Sequence, residues 1–595
     1  MSFRSLVSRL SARSGLLGAL VLGACANASE PPAAPEPAPP PLAVGSAQTS
    51  AQCSGYRATK NAYFGDLHIH TSYSLDSFAF ANRNDPATAY RFARGLTSVP
   101  VAAGEGGTTT IAALTTPLDF AAVTDHSEFL SLMGLCDFGA AQDPAACAAL
   151  ANQNSNAQAA LTAAALAHLL SPDPAPLAVC QQHPEDCAAG ARSAWQRLRE
   201  AAAAANVPCA FSSFVGYEWT ATTGGSNLHR NVIFGSDAVP EVPYDALEYP
   251  SPLTLWQALD AGCKASDGCS ALTIPHNSNL SNGAMWDTAD SPQEREFMIR
   301  YQKLVEIYQH KGASECLPDD AHGDPACGFE LLSSTADPAG FVRAALARGL
   351  GLAATIGRNP LALGIIASTD NHNGTAGDVG EDTWRGHAAN TDDTPAERLG
   401  APTFGPGGLA AVWAEQNTRE AIFAALARRE TYATSGPRIK VRTYALTGVS
   451  EAQAQAFCGD PAFPAQLIAA GATPMGGELR ASTAPTIFVS AVADQVPLSS
   501  FDIVRLRELR TSLHSVTLSG SAGTSFCRYW RDPAFIPGRP TAYYVRVLQQ
   551  PTARWSSHDC ALAPDSEACA DDTVPTTIQE RAWTSPMFIT APATL

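Results

Sequence analysis

Between about residues 60 and 436, the chain repeats one pattern of apolar and polar positions. A short apolar, β-prone run ends in a histidine or an acidic residue, and a helical or loop-rich stretch follows. Strands of a β/α barrel fill the interior and carry the chemistry at their C-terminal ends, so the pattern predicts an α/β chain built on such a barrel. The runs are 63–70, 120–126, 214–218, 228–234, 272–276, 304–308 and 365–372.

Two alanine-rich stretches, at about 138–170 and 190–206, interrupt this pattern. Alanine favours helix, so we expect a helical insertion at about 136–209 that disulfides brace. Such an insertion would either shape access to the site or be decorative, and the sequence does not choose between these roles.

After Gly436-Pro437 the pattern changes to alternating apolar and polar residues between turn-rich segments. This alternation predicts an antiparallel β-sandwich-like domain over 437–595, following a barrel domain over 53–436. No acid/base cluster is evident in it, so we expect a structural or substrate-orienting role. Its predicted strands are 438–446, 486–492, 500–505, 542–548 and 582–589.

The N-terminus has the layout of an export signal. Three arginines precede the short apolar run 16–22, which is too short to span a membrane. The segment Leu22-Gly23-Ala24-Cys25 resembles a bacterial lipobox. The resemblance implies a signal peptide over 1–24 and a lipidated Cys25 that anchors the chain to the outer membrane, facing the periplasm or the cell surface. Residues 25–52, rich in proline and alanine, would be the linker.

The cysteines also favour export. The chain has 15 cysteines, and many of them form close pairs in sequence, as disulfides in an oxidising compartment would. By elimination we would pair Cys53 with Cys209 and Cys458 with Cys527, although connectivity cannot be deduced from sequence. Structural zinc would require short Cys-x-x-Cys motifs, which are missing. The close pairs are Cys136/Cys147, Cys180/Cys187, Cys263/Cys269, Cys316/Cys327 and Cys560/Cys569.

The formal net charge of −18 argues against nucleic acid as a partner. Binding to nucleic-acid phosphates needs clustered lysine and arginine. Most of the acidic charge is better explained by solubility.

Histidines and carboxylates at the run ends indicate a metal site. His68 and His70 are two residues apart, so on a strand both rings face one side and can hold one metal. Asp370 and His372 repeat this spacing at the last run. Any single one of these histidines could be a core residue, but six of the 13 histidines lie at run ends, which jointly favours metal binding. Between the two pairs lie Asp125, His126, Glu218, His229 and His276.

The order His-x-His, Thr-Asp-His, Gly-x-Glu, His, Pro-His-Asn and Asp-x-His resembles the PHP superfamily, named for polymerase and histidinol phosphatase. Within it, the chain resembles a large exported branch of unknown function. The resemblance implies a distorted seven-stranded β/α barrel holding two to three divalent metals, of which Zn²⁺, Mn²⁺ and Fe²⁺ all suit the donors. The implied ligands are His68, His70, Glu218 and Asp370 for the first metal, Asp76, His126 and His372 for the second, and His229, His276 and Glu218 for the third.

Such a centre predicts a phosphoesterase acting on a small phosphorylated molecule through a metal-bridging hydroxide. Asp125 is expected to orient a ligand imidazole. Arg230 would contact substrate phosphate or lie on the barrel exterior. His310, Lys311 and Glu315 are candidates for substrate binding or general acid catalysis. Glu306 would support a ligand or contact substrate, and His387 and Arg385 are weaker candidates.

Two other functions remain open at this point. The same metals could hydrolyse amides or esters, as in amidohydrolase-like barrels, although such enzymes usually carry a metal-bridging lysine and no lysine ends a run here. The chain could also be a non-catalytic lipoprotein that binds a ligand, although a complete ligand set argues against a decayed site. The sequence leaves the oligomeric state open.

Overall fold

A computed structural model describes residues 52–103, 107–137, 178–318, 323–508, 510–518 and 520–592. From Cys53 onward the chain forms one compact unit, within which the boundary at 436/437 stays a prediction. The predicted signal peptide, Cys25, the linker and the alanine-rich stretch 138–170 lie outside the described residues.

All seven predicted runs contain a strand, and the chain is a mixed α/β protein. Several of these strands end before their runs do, and most of the candidate ligands lie just beyond a strand end. The strands of this half are β1 Asn61–Asp66, β2 Val99–Ala103, β3 Gly107–Ile111, β4 Phe120–Ala122, β5 Ser212–Trp219, β6 Arg230–Phe234, β7 Ala271–Pro275, β8 Leu304–Glu306, β9 Tyr308–Gln309, β10 Gly312–Ala313, β11 Gly364–Ile366, β12 Leu409–Ala414 and β13 Thr431–Thr434.

The strand pairing is only partly parallel. β1, β4 and β5 are parallel neighbours, whereas β6 runs antiparallel to both β5 and β7. β8 and β11 pair in parallel as a separate ladder, and β7 packs beside β8. A bridge between Ile69 and Asn371 joins the chain after β1 to the chain after β11. The ends of these strands therefore face a common region.

Helices cover the sheet and bury their apolar faces on it. The alanine-rich helix 184–205 buries Ala194, Trp195 and Leu198, which confirms the helix predicted near 190–206. It crosses helix 130–137 so closely that a Cβ at Gly134 would lie 2.0 Å from the Gly190 carbonyl oxygen. The helices are α1 Leu75–Ala79, α2 Pro86–Ala93, α3 Leu130–Asp137, α4 Ala178–Gln182, α5 Pro184–Ala205, α6 Pro252–Gly262, α7 Pro292–Tyr301, α8 Val342–Ile356, α9 Pro395–Leu399, α10 Arg419–Ala427, α11 Glu451–Gly459, α12 Phe463–Ala469 and α13 Trp555–Leu562.

The C-terminal part is rich in strands, as predicted. β14, β17 and β20 form an antiparallel sheet with β15, while β18, β21, β24 and β25 extend the large sheet beyond β13. Val441 and Ile487 of the first sheet share a buried cluster with Ile503 and Val545 of the second. The strands are β14 Lys440–Leu446, β15 Thr473–Pro474, β16 Glu478–Arg480, β17 Thr486–Val492, β18 Leu498–Arg507, β19 Arg510–Thr517, β20 Ser525–Arg531, β21 Thr541–Gln549, β22 Thr552–Ala553, β23 Thr577–Ile578, β24 Arg581–Thr584 and β25 Met587–Thr590.

A buried ion cluster connects the C-terminal strands to the segment that follows β10. Arg546 on β21 contacts Glu315 at 3.0 Å and Asp324 at 2.8 Å. Arg343 on α8 binds the same two carboxylates, each at 2.8 Å. Burial on its own raises the pKa of the Glu315 carboxyl, but Arg546 and Arg343 outweigh it and lower that pKa. Arg546 also contacts Asp502 at 2.9 Å, so two arginines and three carboxylates compensate one another. Glu315, a predicted candidate for substrate binding or general acid catalysis, lies in this ion cluster instead.

Six disulfides lie among the described residues, and they confirm both pairings made by elimination. Cys147 of the predicted Cys136/Cys147 pair lies outside the described residues. Such cross-links indicate an extracellular or periplasmic protein. No helix in the described ranges combines the length and the apolar character that a membrane span requires. The disulfides are Cys53–Cys209, Cys180–Cys187, Cys263–Cys269, Cys316–Cys327, Cys458–Cys527 and Cys560–Cys569.

The ion cluster predicts a large stability cost for Arg546→Met. Removing one cation leaves two buried carboxylates with Arg343 alone, and breaking a buried pair costs about 3–5 kcal/mol. Calorimetry should show a clearly lower unfolding midpoint. Arg539→Met is the control, because Arg539 is exposed and its side chain makes no ion pair among the described residues. Equal midpoints for the two variants would contradict this role of the cluster.

Candidate metal centre

Four histidines converge on the carboxylate of Glu218, near the end of β5. Its Oε2 atom lies 3.2 Å from Nε2 of both His68 and His70. Its Oε1 atom lies 2.8 Å from Nδ1 of His229 and 3.0 Å from Nε2 of His276. Nδ1 of His126 lies a little farther from Oε2, at 3.4 Å. The two oxygens therefore face two separate groups of rings, which is the arrangement of a carboxylate that bridges two sites.

Asp370 completes the group around His68 and His70. Its Oδ1 atom lies 3.2 Å from Nε2 of His68 and 3.1 Å from Nε2 of His70. The Asp370 backbone has a φ of 56°, in the left-handed region that costs a non-glycine residue about 1–3 kcal/mol. Its amide donates to the His68 carbonyl over 3.0 Å, which holds the residue in this conformation.

Asp76 lies between two further histidines. Its Oδ2 atom is 3.2 Å from Nε2 of His126 and 3.2 Å from Nε2 of His372. Asp76 belongs to the short helix α1, which follows the His68-x-His70 segment, and this helix brings the carboxylate back over the strand ends. Asp76, which the family resemblance implies as a ligand, thus lies within the cluster.

The structure brings all nine implied ligands together. Several of their combinations place one donor atom from each residue within 4.8 Å of the others, so these groups could hold metal ions. Three of these groups are His68/His70/Asp370, His70/Asp76/His126/His372 and Glu218/His229/His276.

Several features of the donor atoms fit a metal site. Nε2 of His70 is buried and makes no hydrogen bond of acceptable geometry, although two carboxylate oxygens lie nearby. Burial on its own raises the pKa of the Glu218 carboxyl, but His126 and His276 outweigh it and hold that pKa well below its ordinary value. Burial and the neighbouring His68 lower the pKa of His276 to about 3. Neutral imidazole and ionised carboxylate are the forms that bind metals.

Most of the ligand rings are oriented by a second partner. Nδ1 of His68 lies 3.1 Å from Glu306, so Glu306 supports a ligand. Nδ1 of His70 lies 2.8 Å from the Ser74 hydroxyl, which donates to Asp125 over 2.9 Å. Asp125 therefore acts on His70 through Ser74, and not directly on its sequence neighbour. Such outer partners fix the tautomer and direction of a ligating ring.

Threonine hydroxyls play this part for two other histidines. Thr220 lies 2.6 Å from Nδ1 of His126, and Thr222 lies 2.9 Å from Nε2 of His229. The carboxylate of Glu128 accepts the Thr220 amide over 2.8 Å and so fixes this turn. Sequence reasoning missed these residues, because serine and threonine next to a strand end carry no signal of their own.

Lys311 and His310 lie at the cluster, as predicted. Lys311 Nζ contacts Oδ2 of Asp370, and Nε2 of His310 lies 3.2 Å from the same oxygen. Gln309, which was not predicted, donates to that oxygen over 2.7 Å. The β9–β10 turn thus supplies three groups to the side of Asp370 that faces away from His68 and His70. The Lys311 side chain is 25 % exposed.

Arg230 does not reach the cluster, so its predicted substrate contact is wrong. Arg230 is the first residue of β6 and directly follows His229. Successive side chains of an extended chain point to opposite faces. The guanidinium is fully buried between Trp219 and Trp256, with ring distances of 5.7 and 5.6 Å, and donates to Gln302 over 3.1 Å. The alternative prediction, the exterior face of the strand, describes its position.

The two weaker candidates differ in position. His387 is fully buried, with its ring centroid 5.7 Å from that of His310. It is therefore a neighbour of the β9–β10 turn. Arg385 donates to the Trp384 carbonyl over 2.9 Å and makes no described contact with the cluster.

Comparison with known proteins places the chain in a family without assigning an activity. The chain matches one family model over residues 57–507 and 506–591, whose description reads "Protein of unknown function (DUF3604)". Searches of curated proteins and of solved structures returned no match. Because the matched segments span nearly the whole described chain, the chain belongs to the DUF3604 family.

Proposed function

We propose that this chain is a metal-dependent hydrolase of the PHP type and that it acts as a phosphoesterase. The observation that carries the proposal is the position of Glu218, whose two oxygens each face a different group of histidines. A carboxylate in this position can join adjacent cations into one centre. Two or three divalent ions would also balance the negative charge of the site. Among the described residues, the carboxylates of Glu218, Asp370, Asp76 and Glu306 have one lysine beside them, Lys311.

We infer that the strands of the first half close into a distorted seven-stranded barrel. The parallel set β1, β4 and β5 continues through β6 and β7, which packs beside β8. β8 pairs with β11, and the bridge from Ile69 to Asn371 leads back to β1. In a barrel of this kind the C-terminal strand ends carry the chemistry, which agrees with the position of the cluster.

The proposed sites are held by the three groups already described. Adjacent divalent ions acidify a water molecule and neutralise the oxygens of a phosphoryl group. The protein would contribute orientation, because Glu306, Ser74, Thr220 and Thr222 fix the rings.

The exposed edge of the cluster indicates where substrate would enter. His68, His70, Glu218, His276 and Asp370 have side chains at most 2 % exposed, whereas Asp76 is 30 % and Lys311 is 25 % exposed. Lys311 is therefore the cation that an incoming anionic group meets. We assign it the role of binding a phosphoryl oxygen, with His310 beside it as a further contact for the substrate. Burial and Lys311 hold the pKa of His310 well below its ordinary value, which disfavours His310 as a general acid.

Amide or ester hydrolysis is the second candidate, and Lys311 is the observation that favours it. The argument against it from sequence was the missing lysine at a strand end. Lys311 lies two residues after β9 and contacts Asp370, so the site does contain a lysine. It contacts one carboxylate only, whereas a bridging lysine would lie between two ligand groups.

The disulfides agree with a chain that acts outside the cytoplasm. We propose in addition that Cys25 is lipidated and anchors the chain to the outer membrane, and that the substrate is a small phosphorylated molecule.

Metal analysis of the purified chain should return two to three equivalents of zinc, manganese or iron. Chelation should lower the unfolding midpoint, and adding the metal back should restore it, because a ligand of the folded state stabilises that state. A folded chain that contains no metal and whose midpoint does not respond to added metal would support the non-catalytic alternative.

Glu218→Gln should lose at least one metal equivalent together with turnover. The amide keeps the size of the side chain but removes the charge that bridges the two groups. Glu241→Gln is the matched control, since Glu241 is exposed and lies outside the cluster. Circular dichroism should show the same fold for both variants. Full metal content and activity in Glu218→Gln would exclude the bridging role.

A substrate panel separates the two hydrolytic candidates. Phosphate monoesters and diesters, amides and carboxylic esters are compared with the same metal-loaded protein. We expect turnover of phosphoesters, and turnover confined to amides or esters would replace the first candidate by the second.

Lys311→Met should lower kcat/KM for the active phosphoester by about 100-fold while the metal content stays at the wild-type level. Lys311→Arg should restore part of the loss, because it keeps the charge. Lys264→Met is the control, since Lys264 is exposed and makes no described contact with the cluster. Unchanged kinetics in Lys311→Met would remove Lys311 from substrate binding.

A further inference from the structure

A cationic cleft lies outside the metal centre, between the segment that precedes β1 and parts of the C-terminal half. Its volume is about 420 Å³. Four cationic residues line it, and none of the described lining residues is acidic, although the chain has 56 acidic and 38 basic residues. The local composition is thus the reverse of the overall one. The four residues are Arg57, Lys60, Lys440 and Arg442.

Three of these cations have no carboxylate partner among the described ion pairs. Arg442 donates to the carbonyls of Thr59 over 2.7 Å and Lys60 over 2.6 Å. Arg57 and Lys440 are exposed. Lys60 is the exception, because it binds Glu430 and lies 3.8 Å from Glu415. The cleft therefore keeps a positive charge that the protein does not neutralise.

The guanidinium of Arg442 is held in a fixed place. It stacks over the Trp413 ring at 3.6 Å, and the two carbonyl contacts fix its direction. A planar, pre-oriented guanidinium loses little conformational entropy when it binds an oxyanion. This distinguishes the cleft from a set of freely moving surface lysines.

A second part of the cleft lining, here called the apolar wall, consists largely of apolar residues. It consists of the segment Pro461–Ala465, which includes Phe463, together with Val492. Val492 is 48 % exposed, which is unusual for a valine on a strand with buried neighbours. A ligand that carries an anionic group on an apolar or ring-shaped body would cover both parts of the lining.

The cleft is separate from the metal centre. Lys60 immediately precedes β1, and His68 follows the same strand. Eight residues of extended chain span about 26 Å, so the two sites lie near opposite ends of β1. A ligand in the cleft would not contact the metals.

We propose that this cleft is a binding site for a phosphate-bearing ligand. Arg442 and the exposed pair Arg57 and Lys440 would bind the phosphate oxygens through charge-assisted hydrogen bonds. The apolar wall would contact the body of the ligand. The phosphate could belong to a soluble molecule or to a lipid headgroup, since both present the same group, and the experiment distinguishes these sources.

The test uses the full chain and a double charge reversal, Arg57→Glu with Lys440→Glu. Both residues are exposed, so the variant should fold like the wild type. The control is Lys264→Glu with Arg539→Glu, which makes the same change of charge at exposed positions outside the cleft. Calorimetric titration with inorganic phosphate reports the soluble source. Sedimentation with phosphatidylcholine vesicles, with and without phosphatidylglycerol, reports the lipid source.

The cleft variant should have an affinity for phosphate, or for the vesicles that contain phosphatidylglycerol, at least about tenfold lower than that of the wild type. The control should keep the wild-type affinity. A loss confined to free phosphate identifies a soluble ligand, and a loss confined to phosphatidylglycerol vesicles identifies a lipid headgroup. Equal binding by the cleft variant and the control, or no saturable binding by the wild type to either probe, would overturn the proposal. Hydrolysis at the metal centre serves as the folding control and should be unchanged.

Discussion

The structure depends on one electrostatic constraint, which is the burial of several carboxylates among imidazole rings at one end of the sheet. An ionised carboxylate inside a protein is costly unless charges or hydrogen bonds compensate it. Glu218 is compensated by five rings from four different segments, which contain His68 and His70, His126, His229, and His276. The strand order, the left-handed backbone of Asp370 and the outer partners of the rings all serve to hold these segments together.

Much of this arrangement could be predicted from the sequence, because apolar runs that end in histidine or an acid mark both a strand and its C-terminal end. That reasoning located the seven strands and eight of the nine implied ligands, whereas Asp76, which lies outside the runs, was implied by the family resemblance alone. It failed at Arg230, where the face of a strand is set by alternation and not by proximity in sequence to a ligand. Ser74, Thr220 and Gln309 were missed because their roles depend on contacts between distant segments.

The packing of β7 beside β8 and the cationic cleft show a further limit. Whether β7 and β8 lie side by side depends on packing that no local pattern encodes. The cleft is formed by residues 57–60, 413, 440–442, 461–465 and 490–492, of which no segment is distinctive alone. The cluster of histidines and carboxylates and the cationic cleft therefore lie near the two ends of β1.

The buried ion cluster of Arg546, Arg343, Glu315 and Asp324 has an evolutionary consequence. Two of its members lie just after the β9–β10 turn that supplies Lys311, and another lies on β21 near the C-terminus. A recombination event that exchanged the tail for another module would leave Glu315 and Asp324 buried in the first half without Arg546. The two halves should therefore be inherited together, and natural fusions or deletions of the tail should be rare among relatives of this chain.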